Sequence, residues 1–285
     1  MFLFTSTTQH LKTKNSIEYT SKQFPDGEFF VEINTCVQDK AVSIVHATCT
    51  PVNDHVMELL MLIDALKHGL ASHIHVVMPY FGYSRQDRLT NKGTSIAAKV
   101  VANLIGNSGI DRLSVFDLHS PQIAGFFPVP VHHYSAMPLF ADIIKKEFNQ
   151  KDTLIVSPDA GGLKRAEALS DMTKVPLITL TKKRNAAEKV DHIQVLGDPS
   201  QKHCLIVDDI IDSGNTIVRA AEALRLKGAV SVNAFVTHAV FSNAVKLKAL
   251  DRLWVTDSIF HKNLPESMTV LRADYGLPAD NTKLI

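Results

Sequence analysis

The chain has 285 residues, which is more than one small domain needs, so one large or two medium-sized domains are expected. Its 30 basic and 29 acidic residues give a formal net charge of +1, which favours neither nucleic acid nor a membrane surface as a partner. The three cysteines are far apart, and the sequence contains neither a basic leader nor a long apolar run. We therefore expect a soluble cytoplasmic protein without a disulfide framework.

A β-hairpin is predicted near the N-terminus. The stretch "YTSKQFPDGEFFVEI" consists of two extended segments around Pro25, Asp26 and Gly27, a typical turn sequence. Such a hairpin would project from the rest of the chain and could contact a partner.

After the hairpin, apolar strands alternate with amphipathic helices along nearly the whole chain. "AVSIVHA" precedes a helix in which Val56, Leu59 and Ile63 keep helical spacing, and the alternation continues as far as "RLWVTD". Continuous apolar strands separated by helices predict parallel sheets flanked by helices. The repeats are too many for one ordinary sheet, so an α/β protein of two similar lobes is expected. The proline-rich "FFPVPVHHYSAMP" predicts the boundary, with lobes at 1–136 and 137–285.

In the second lobe, the predicted strand "CLIVDD" ends in Asp208 and Asp209, and a small-residue loop leads from it into a helix. The loop and the helix start comprise Asp212, Ser213, Gly214, Asn215 and Thr216. Free N–H groups at a helix N-terminus suit a phosphate, and carboxylates accept hydrogen bonds from vicinal hydroxyls. The pattern predicts a sugar-phosphate site; the alternative is that the acids only cap and solubilise the helix.

At this motif the chain resembles a known family. "VDDIIDSGNT" is similar to the phosphoribosyl-pyrophosphate loop of type I phosphoribosyltransferases. "FPDGE", "MPYFGYSRQDR", "FDLHSPQIAGFF" and "VSPDAGGLKRA" resemble, in this order, segments of ribose-phosphate pyrophosphokinases. The resemblance extends from Phe24 to beyond Trp254. It implies two related α/β lobes, Mg²⁺, and transfer of a diphosphoryl group from ATP to ribose 5-phosphate with release of AMP.

The resemblance also implies roles for individual residues in the first lobe. It assigns Arg85, Gln86 and Asp87 to ATP, and guanidinium groups suit phosphate oxygens because their donors form a fixed fork. For Arg85, and more so for Arg88, a solvated surface position is the alternative. It assigns His119 and Asp159 to the Mg²⁺ of the nucleotide, and His119 also to ATP. Mg²⁺ typically takes only one or two protein ligands.

The segment "LTKKRNAAEKV" corresponds to the catalytic loop of the family. The resemblance assigns Lys182 and Arg184 to catalysis, and positioned cations would stabilise the charge that develops during diphosphoryl transfer. Without the resemblance, such a charge run would indicate a solvated loop.

For the hairpin, the resemblance implies a contact between subunits. Phe24, Asp26 and Glu28 would reach the ATP site of a neighbouring chain, with Phe24 near the adenine. The protein is therefore expected to be at least a homodimer with a shared ATP site. The alternative is a local hairpin in which Phe24 packs on its own sheet.

The sequence also departs from the family pattern. Asn215 stands where small residues are usual, the presumed catalytic loop is short, and the ending "LRADYGLPADNTKLI" is unlike the common C-terminus. These departures leave regulation by phosphate or ADP, and a ring-shaped assembly, open.

Three functions compete at this point. An active pyrophosphokinase accounts for every motif. A phosphoribosyltransferase would explain "VDDIIDSGNT" but not "FPDGE" or "MPYFGYSRQDR". A non-catalytic regulatory subunit would require damaged catalytic positions, yet Lys182, Arg184, His119 and Asp159 are all present. The first function is favoured.

Overall fold

The computed structural model describes residues 1–14, 16–184, 190–242 and 247–277. It divides into two compact units. The first comprises Met1–Tyr134, Ser258–Phe260 and the chain from Asp274 onward, and the second comprises Ser135–Asp257 and His261–Ala273. Among the described residues, none of the helices is both long enough and apolar enough to cross a bilayer.

The first unit contains a parallel sheet and a separate hairpin. The sheet has the order β1-β4-β5-β6-β7, and the antiparallel pair β2-β3 forms the hairpin. The elements are β1 (Phe2–Phe4), β2 (Tyr19–Gln23), β3 (Phe29–Ile33), β4 (Ala41–Val45), α1 (Val52–His68), β5 (His73–Met78), α2 (Ala97–Gly106), β6 (Arg112–Phe116) and β7 (Val131–Tyr134).

The α-helices α1 and α2 pack on the same face of the sheet of this unit. Leu59 and Ile63 of α1 and Ile105 of α2 share one buried cluster with Ile44 and Val76 of the strands. This arrangement follows from the strand order, because successive right-handed crossovers between β4, β5 and β6 place their helices on one side. The periodicity predicted from the sequence for α1 is confirmed.

The second unit contains a larger sheet of the order β10-β9-β8-β11-β12-β13-β14, parallel except for the antiparallel edge strand β10. Its elements are α3 (Met137–Glu147), β8 (Thr153–Ser157), α4 (Leu163–Thr173), β9 (Leu177–Arg184), β10 (Val190–Leu196), β11 (His203–Ile211), α5 (Asn215–Leu226), β12 (Ser231–Ala239), β13 (Arg252–Thr256) and β14 (Met268–Leu271). The two-lobed α/β fold with an N-terminal hairpin is therefore confirmed.

The two faces of the second sheet carry different cores. Ile217 and Leu224 of α5 are buried in an aliphatic cluster on one face. On the other face, the rings of Phe235 and Trp254 stack with centroids 4.5 Å apart, and Phe140 of α3 lies 5.3 Å from Phe235. Trp254 and Phe235 are neighbours on β13 and β12, so the aromatic pair depends on the register of the sheet.

Strand β11 is longer than the sequence indicated. We expected the strand to end at Asp208 and Asp209, but β11 continues through both acids to Ile211. The reason is its unequal neighbours: the pairing with β8 stops at Ile206, whereas the pairing with β12 extends to Ile211. The acids therefore lie within a strand that is open on one edge.

The C-terminal segment returns to the first unit. Tyr275 is buried, and its ring packs edge-on against Phe116 at the end of β6, with centroids 4.8 Å apart. This contact was not predicted from the sequence, because the segment is polar and follows the last strand of the other unit.

The aromatic pair provides a test of the second core. Phe235→Ala should lower the free energy of unfolding by about 3–5 kcal/mol, because it removes the ring on which Trp254 stacks and leaves a cavity. Trp254 is the only tryptophan of the chain, so its fluorescence during denaturant unfolding reports on this unit. Leu226→Ala is the matched control: Leu226 is 88% exposed, and its loss should cost no more than about 0.5 kcal/mol. Equal losses for the two variants would contradict this description of the core.

Candidate active site

The acid pair on β11 is held by an arginine from the neighbouring helix α4. Nη1 of Arg165 lies 3.4 Å from Oδ1 of Asp208 and 3.2 Å from Oδ1 of Asp209. All three side chains are largely buried, with exposed fractions of 15%, 18% and 5% respectively. Because β8 ends before this point, the open edge of β11 leaves room for the arginine.

Two adjacent buried carboxyl groups repel each other when both are charged. Burial and the Asp209 carboxylate raise the pKa of Asp208, while the Arg165 guanidinium lowers it. The two carboxyl groups together therefore hold a proton to higher pH than an isolated aspartate does.

The loop after β11 ends at the N-terminus of α5. Gly214 is buried and has φ +76°, a conformation that favours glycine, and it turns the chain into the helix. The first helical hydrogen bond runs from the N–H of Val218 to the carbonyl of Gly214, so the N–H groups of the first turn have no acceptor within the helix. Ser213 and Asn215 are exposed and Thr216 is half-buried beside them. This arrangement suits an anion.

Asp212 fixes this loop to the end of the next strand. Its Oδ1 accepts hydrogen bonds from the backbone N–H of Ser242, at 3.0 Å, and from the Ser242 hydroxyl. The carboxylate thus positions the loop, a contact that the sequence did not predict.

Asp159 lies in the loop between β8 and α4. Its Oδ1 accepts hydrogen bonds from the N–H groups of Gly161 and Gly162, at 3.0 and 3.2 Å. The Ser157 hydroxyl donates to the Asp159 carbonyl at 2.7 Å. The carboxylate therefore has a fixed orientation at the carboxyl end of a strand adjacent to β11.

In the first unit, Arg85, Gln86 and Asp87 lie in the loop after β5. Arg85 and Gln86 are exposed, and Asp87 is half-buried. The backbone of Gln86 is anchored on both sides: its N–H donates to Tyr83, and its carbonyl accepts from Ala98 at the start of α2. The loop thus presents its polar side chains from a fixed backbone.

Gly82 allows this loop to approach the end of β4 closely. Its N–H donates to the Thr48 hydroxyl at 2.7 Å, and a Cβ atom at this position would lie 2.5 Å from the Thr48 carbonyl oxygen. Only glycine fits without displacing the backbone.

His119 is exposed in the loop after β6, and a second histidine holds that loop. The N–H of Leu118 donates to Nε2 of His133 at 3.0 Å. Burial lowers the pKa of His133, which keeps the ring neutral and able to accept this bond. His133 thus orients the backbone next to His119.

The hairpin tip carries the three residues that the resemblance singles out. Phe24 donates its N–H to Glu28 at 2.8 Å, and Oδ1 of Asp26 accepts from the N–H of Glu28 at 3.1 Å. Asp26 and Glu28 are exposed, and the Phe24 ring keeps 40% of its surface exposed, with the Lys22 ammonium 5.2 Å from its centroid. The base of the hairpin is anchored, because Val31 and Ile33 pack on the core of the unit.

Lys182 and Arg184, which the resemblance assigns to catalysis, lie at the end of β9, which forms an antiparallel pair with β10. Their side chains, and residues 185–189 as a whole, lie outside the described part of the chain.

The second unit thus brings together the acid pair, the α5 loop and Asp159 at the carboxyl ends of neighbouring strands. The first unit holds Phe24, Asp26 and Glu28, the loop of Arg85 and its neighbours, and His119. Among the described residues, no group of three histidine, cysteine, aspartate or glutamate side chains forms a metal cluster. Sequence reasoning missed Arg165 and Ser242; Arg165 stood within the motif "VSPDAGGLKRA", which could have indicated it.

Comparison with known proteins agrees with this arrangement. Residues 3–109 match the model of the N-terminal domain of ribose phosphate pyrophosphokinase, and residues 135–266 match that of the phosphoribosyl transferase domain. A ribose-phosphate pyrophosphokinase from Agrobacterium fabrum is 46% identical over 84% of this chain and 79% of its own length. One from Campylobacter jejuni is 45% identical over 88% and 82%. The crystal structure of phosphoribosylpyrophosphate synthetase from Mycobacterium smegmatis has a TM-score of 0.89 and 31% identity, covering 95% of this chain and 94% of that one.

The acid pair predicts a pH dependence of stability. Unfolded Asp208 releases its proton near pH 4, whereas the folded protein holds it to higher pH, so the wild type loses stability as pH rises above that point. Asp208→Asn removes this loss. The Tm difference, variant minus wild type, should therefore increase by about 2–4 °C between pH 5 and pH 8 without ligand.

Asp171→Asn on the exposed side of α4 is the control, and its Tm difference should not change with pH. A constant or decreasing difference for Asp208→Asn would contradict the description of the pair.

Proposed function

Because this chain belongs to the ribose-phosphate pyrophosphokinase family, we infer that it is an ATP-dependent diphosphotransferase. It makes 5-phosphoribosyl 1-pyrophosphate and AMP from ATP and ribose 5-phosphate and thereby supplies nucleotide biosynthesis. The observation that carries this conclusion is the 46% identity over 84% of the chain to a named family member. The fold agrees, since the TM-score to a solved synthetase is 0.89.

We propose that the second unit binds ribose 5-phosphate. Asp208 and Asp209 would accept hydrogen bonds from the vicinal ring hydroxyls. Asp212, Ser213, Gly214, Asn215 and Thr216 would form the 5-phosphate site, with the N-terminal amides of α5 directed at the phosphate oxygens. The first-turn amides, which have no acceptor within the helix, and the fixed position of Asp212 support this assignment.

We propose that the first unit binds ATP, in keeping with lobes at 1–136 and 137–285. Arg85 would contact the phosphates, while Gln86 and Asp87 complete the nucleotide site together with His119. The anchored backbone of Gln86 supports the assignment, because a fixed loop loses little conformational entropy when a ligand binds.

Enzymes of this type need a divalent metal, and we propose Mg²⁺ with His119 and Asp159 as its protein ligands. A hard cation prefers carboxylate oxygens, and Mg²⁺ keeps several waters and uses few protein ligands, so one oriented carboxylate and one histidine fit it. When bound, the ion would neutralise charge on the transferred phosphoryl oxygens. Asp159 is suited to this role because two backbone N–H groups fix its carboxylate.

Lys182 and Arg184 are proposed as the catalytic cations, which would stabilise charge on the leaving and transferred oxygens. A cytoplasmic location is part of the proposal. The three cysteines, all within described residues, are free thiols, as suits a reducing compartment.

The product of the reaction tests the function directly. Purified protein incubated with ATP, Mg²⁺ and ribose 5-phosphate should form AMP and phosphoribosyl pyrophosphate in equal amounts, and no product in excess chelator. Accumulation of ADP would indicate single phosphoryl transfer. Consumption of added phosphoribosyl pyrophosphate with a nucleobase would indicate a phosphoribosyltransferase. Lack of any turnover would favour a regulatory subunit.

We also propose a homo-oligomer, at least a dimer, in which the hairpin completes the ATP site of the neighbouring chain. Phe24 would lie against the adenine, and Asp26 and Glu28 would accept from its amino group. The exposed Phe24 ring on an anchored hairpin supports this, because an aromatic side chain held away from its own core is available to a partner.

Complementation between two inactive variants tests the shared site. One variant carries Asp26→Ala and Glu28→Ala, and the other carries Lys182→Ala and Arg184→Ala. The variant without Lys182 and Arg184 should lose turnover by about 10²–10³-fold, the scale for removing a transition-state donor. The variant without Asp26 and Glu28 should lose activity because the neighbouring ATP site then lacks its acceptors for the adenine amino group. Hybrids formed on co-expression contain one site with both elements intact, so activity should return to a fraction of wild type. A mixture that exchanges subunits but remains inactive would show that the site is not shared.

A further inference from the structure

The contacts of Arg165 connect helix α4 to the acid pair on β11. Its guanidinium lies within 3.4 Å of Asp208 and 3.2 Å of Asp209, and only 15% of its side chain is exposed. A buried cation that faces two carboxylates at once is unusual, because the desolvation of all three charges must be offset by their attraction. A role in protein solubility does not explain why this arginine is buried between two carboxylates.

The guanidinium of Arg165 affects how well the two carboxyl groups can accept hydrogen bonds. A carboxylate is an acceptor only, whereas a protonated carboxyl group also donates, so a shared proton would place a donor where sugar hydroxyls need acceptors. A guanidinium beside both groups favours their charged forms. Because Nη1 reaches one oxygen of each group, it also restricts the rotation of both carboxylates.

The position of Arg165 in the chain makes this contact rigid. The residue lies in the first turn of α4, where its own N–H donates to the Gly162 carbonyl at 3.1 Å. The next residue, Ala166, is completely buried. The guanidinium thus extends from a packed helix start rather than from a flexible loop.

We propose that Arg165 is a positioning residue for the pentose: its contacts with both Asp208 and Asp209 orient these side chains to accept hydrogen bonds from the two vicinal hydroxyls of ribose 5-phosphate. This inference rests on the proposed function of the second unit. Arg165 acts through the acids, so its loss affects sugar-phosphate binding and leaves the ATP side of the reaction intact.

The first experiment compares Arg165→Met with Lys164→Met, a neighbouring exposed cation on the same helix. Arg165→Met should raise both the KM and the directly measured Kd for ribose 5-phosphate by about tenfold or more, which is within the range for coupled neighbours. The KM for ATP should change less than about twofold, and Lys164→Met should match wild type in every parameter. An unchanged Kd in Arg165→Met, or an equal rise in the KM for ATP, would overturn the proposal.

A double-mutant cycle separates positioning from direct contact. In the background Asp208→Asn with Asp209→Asn, adding Arg165→Met should weaken ribose 5-phosphate binding by less than about twofold, because no carboxylate remains to be held. A penalty as large as in the wild type would mean that Arg165 contacts the substrate or acts on the fold in general, and would sink the idea.

If Arg165→Met does not fold, Arg165→Lys measured in both backgrounds makes the same comparison. Lysine keeps the positive charge but lacks the planar set of donors, so Arg165→Lys should weaken ribose 5-phosphate binding less than Arg165→Met does. This smaller loss of affinity must also disappear when Asp208 and Asp209 are both replaced by asparagine. Failure of the proposed function is distinguishable: a wild type that does not bind ribose 5-phosphate overturns that function, whereas normal wild-type binding with an unaffected Arg165→Met overturns only this inference.

Discussion

The site of the second unit depends on the unequal lengths of the neighbours of β11. Because β8 stops pairing at Ile206 while β12 continues to Ile211, the last part of β11 has one free edge. That edge admits the guanidinium of Arg165, which is what allows two adjacent aspartates to occupy a mostly buried position. A longer β8 would fill the space with backbone and leave the acids without a cation.

Three loops that carry polar side chains are anchored by hydrogen bonds to neighbouring segments of the chain. Each lies at the carboxyl end of a parallel strand and forms a hydrogen bond with a neighbouring segment. Asp212 accepts from Ser242, the N–H next to His119 donates to His133, and the N–H of Gly82 donates to Thr48. Anchoring by neighbours gives loops the rigidity of the sheet while their side chains remain accessible. In this chain, many of the supporting residues are ordinary hydroxyls and a neutral histidine rather than charged groups.

Much of the architecture could be predicted from sequence because it depends on local patterns. The helical spacing in α1 and the turn at Pro25–Gly27 are properties of short segments, and they persist in the structure. The features that were missed depend on neighbours distant in sequence. The length of β11 is set by β12, and the short strand β1 pairs with β4, which lies much later in the chain. Arg165 meets the acids only because α4 and β11 are adjacent.

The site residues also divide into those that a local sequence pattern predicts and those that it does not. The acid pair and the α5 loop lie in one short segment, so a sugar-phosphate site could be predicted from the residue types and their close spacing. His119 and Asp159 could be indicated only through the resemblance, since a single polar residue after a strand is common. The side chains of Lys182 and Arg184 lie outside the described part of the chain, so their assignment continues to rest on that resemblance.

The return of Tyr275 to Phe116 bears on how the protein is synthesised. On the ribosome the strands of the first unit emerge early, but the aromatic ring that covers the end of β6 is among the last described residues to appear. Until then Phe116 lacks this cover, so the packing at the end of β6, next to the loop that contains His119, is completed only after the last strand of the second unit has been synthesised. A chain that stalls before Tyr275 would therefore carry every predicted site residue and still have an unfinished first unit.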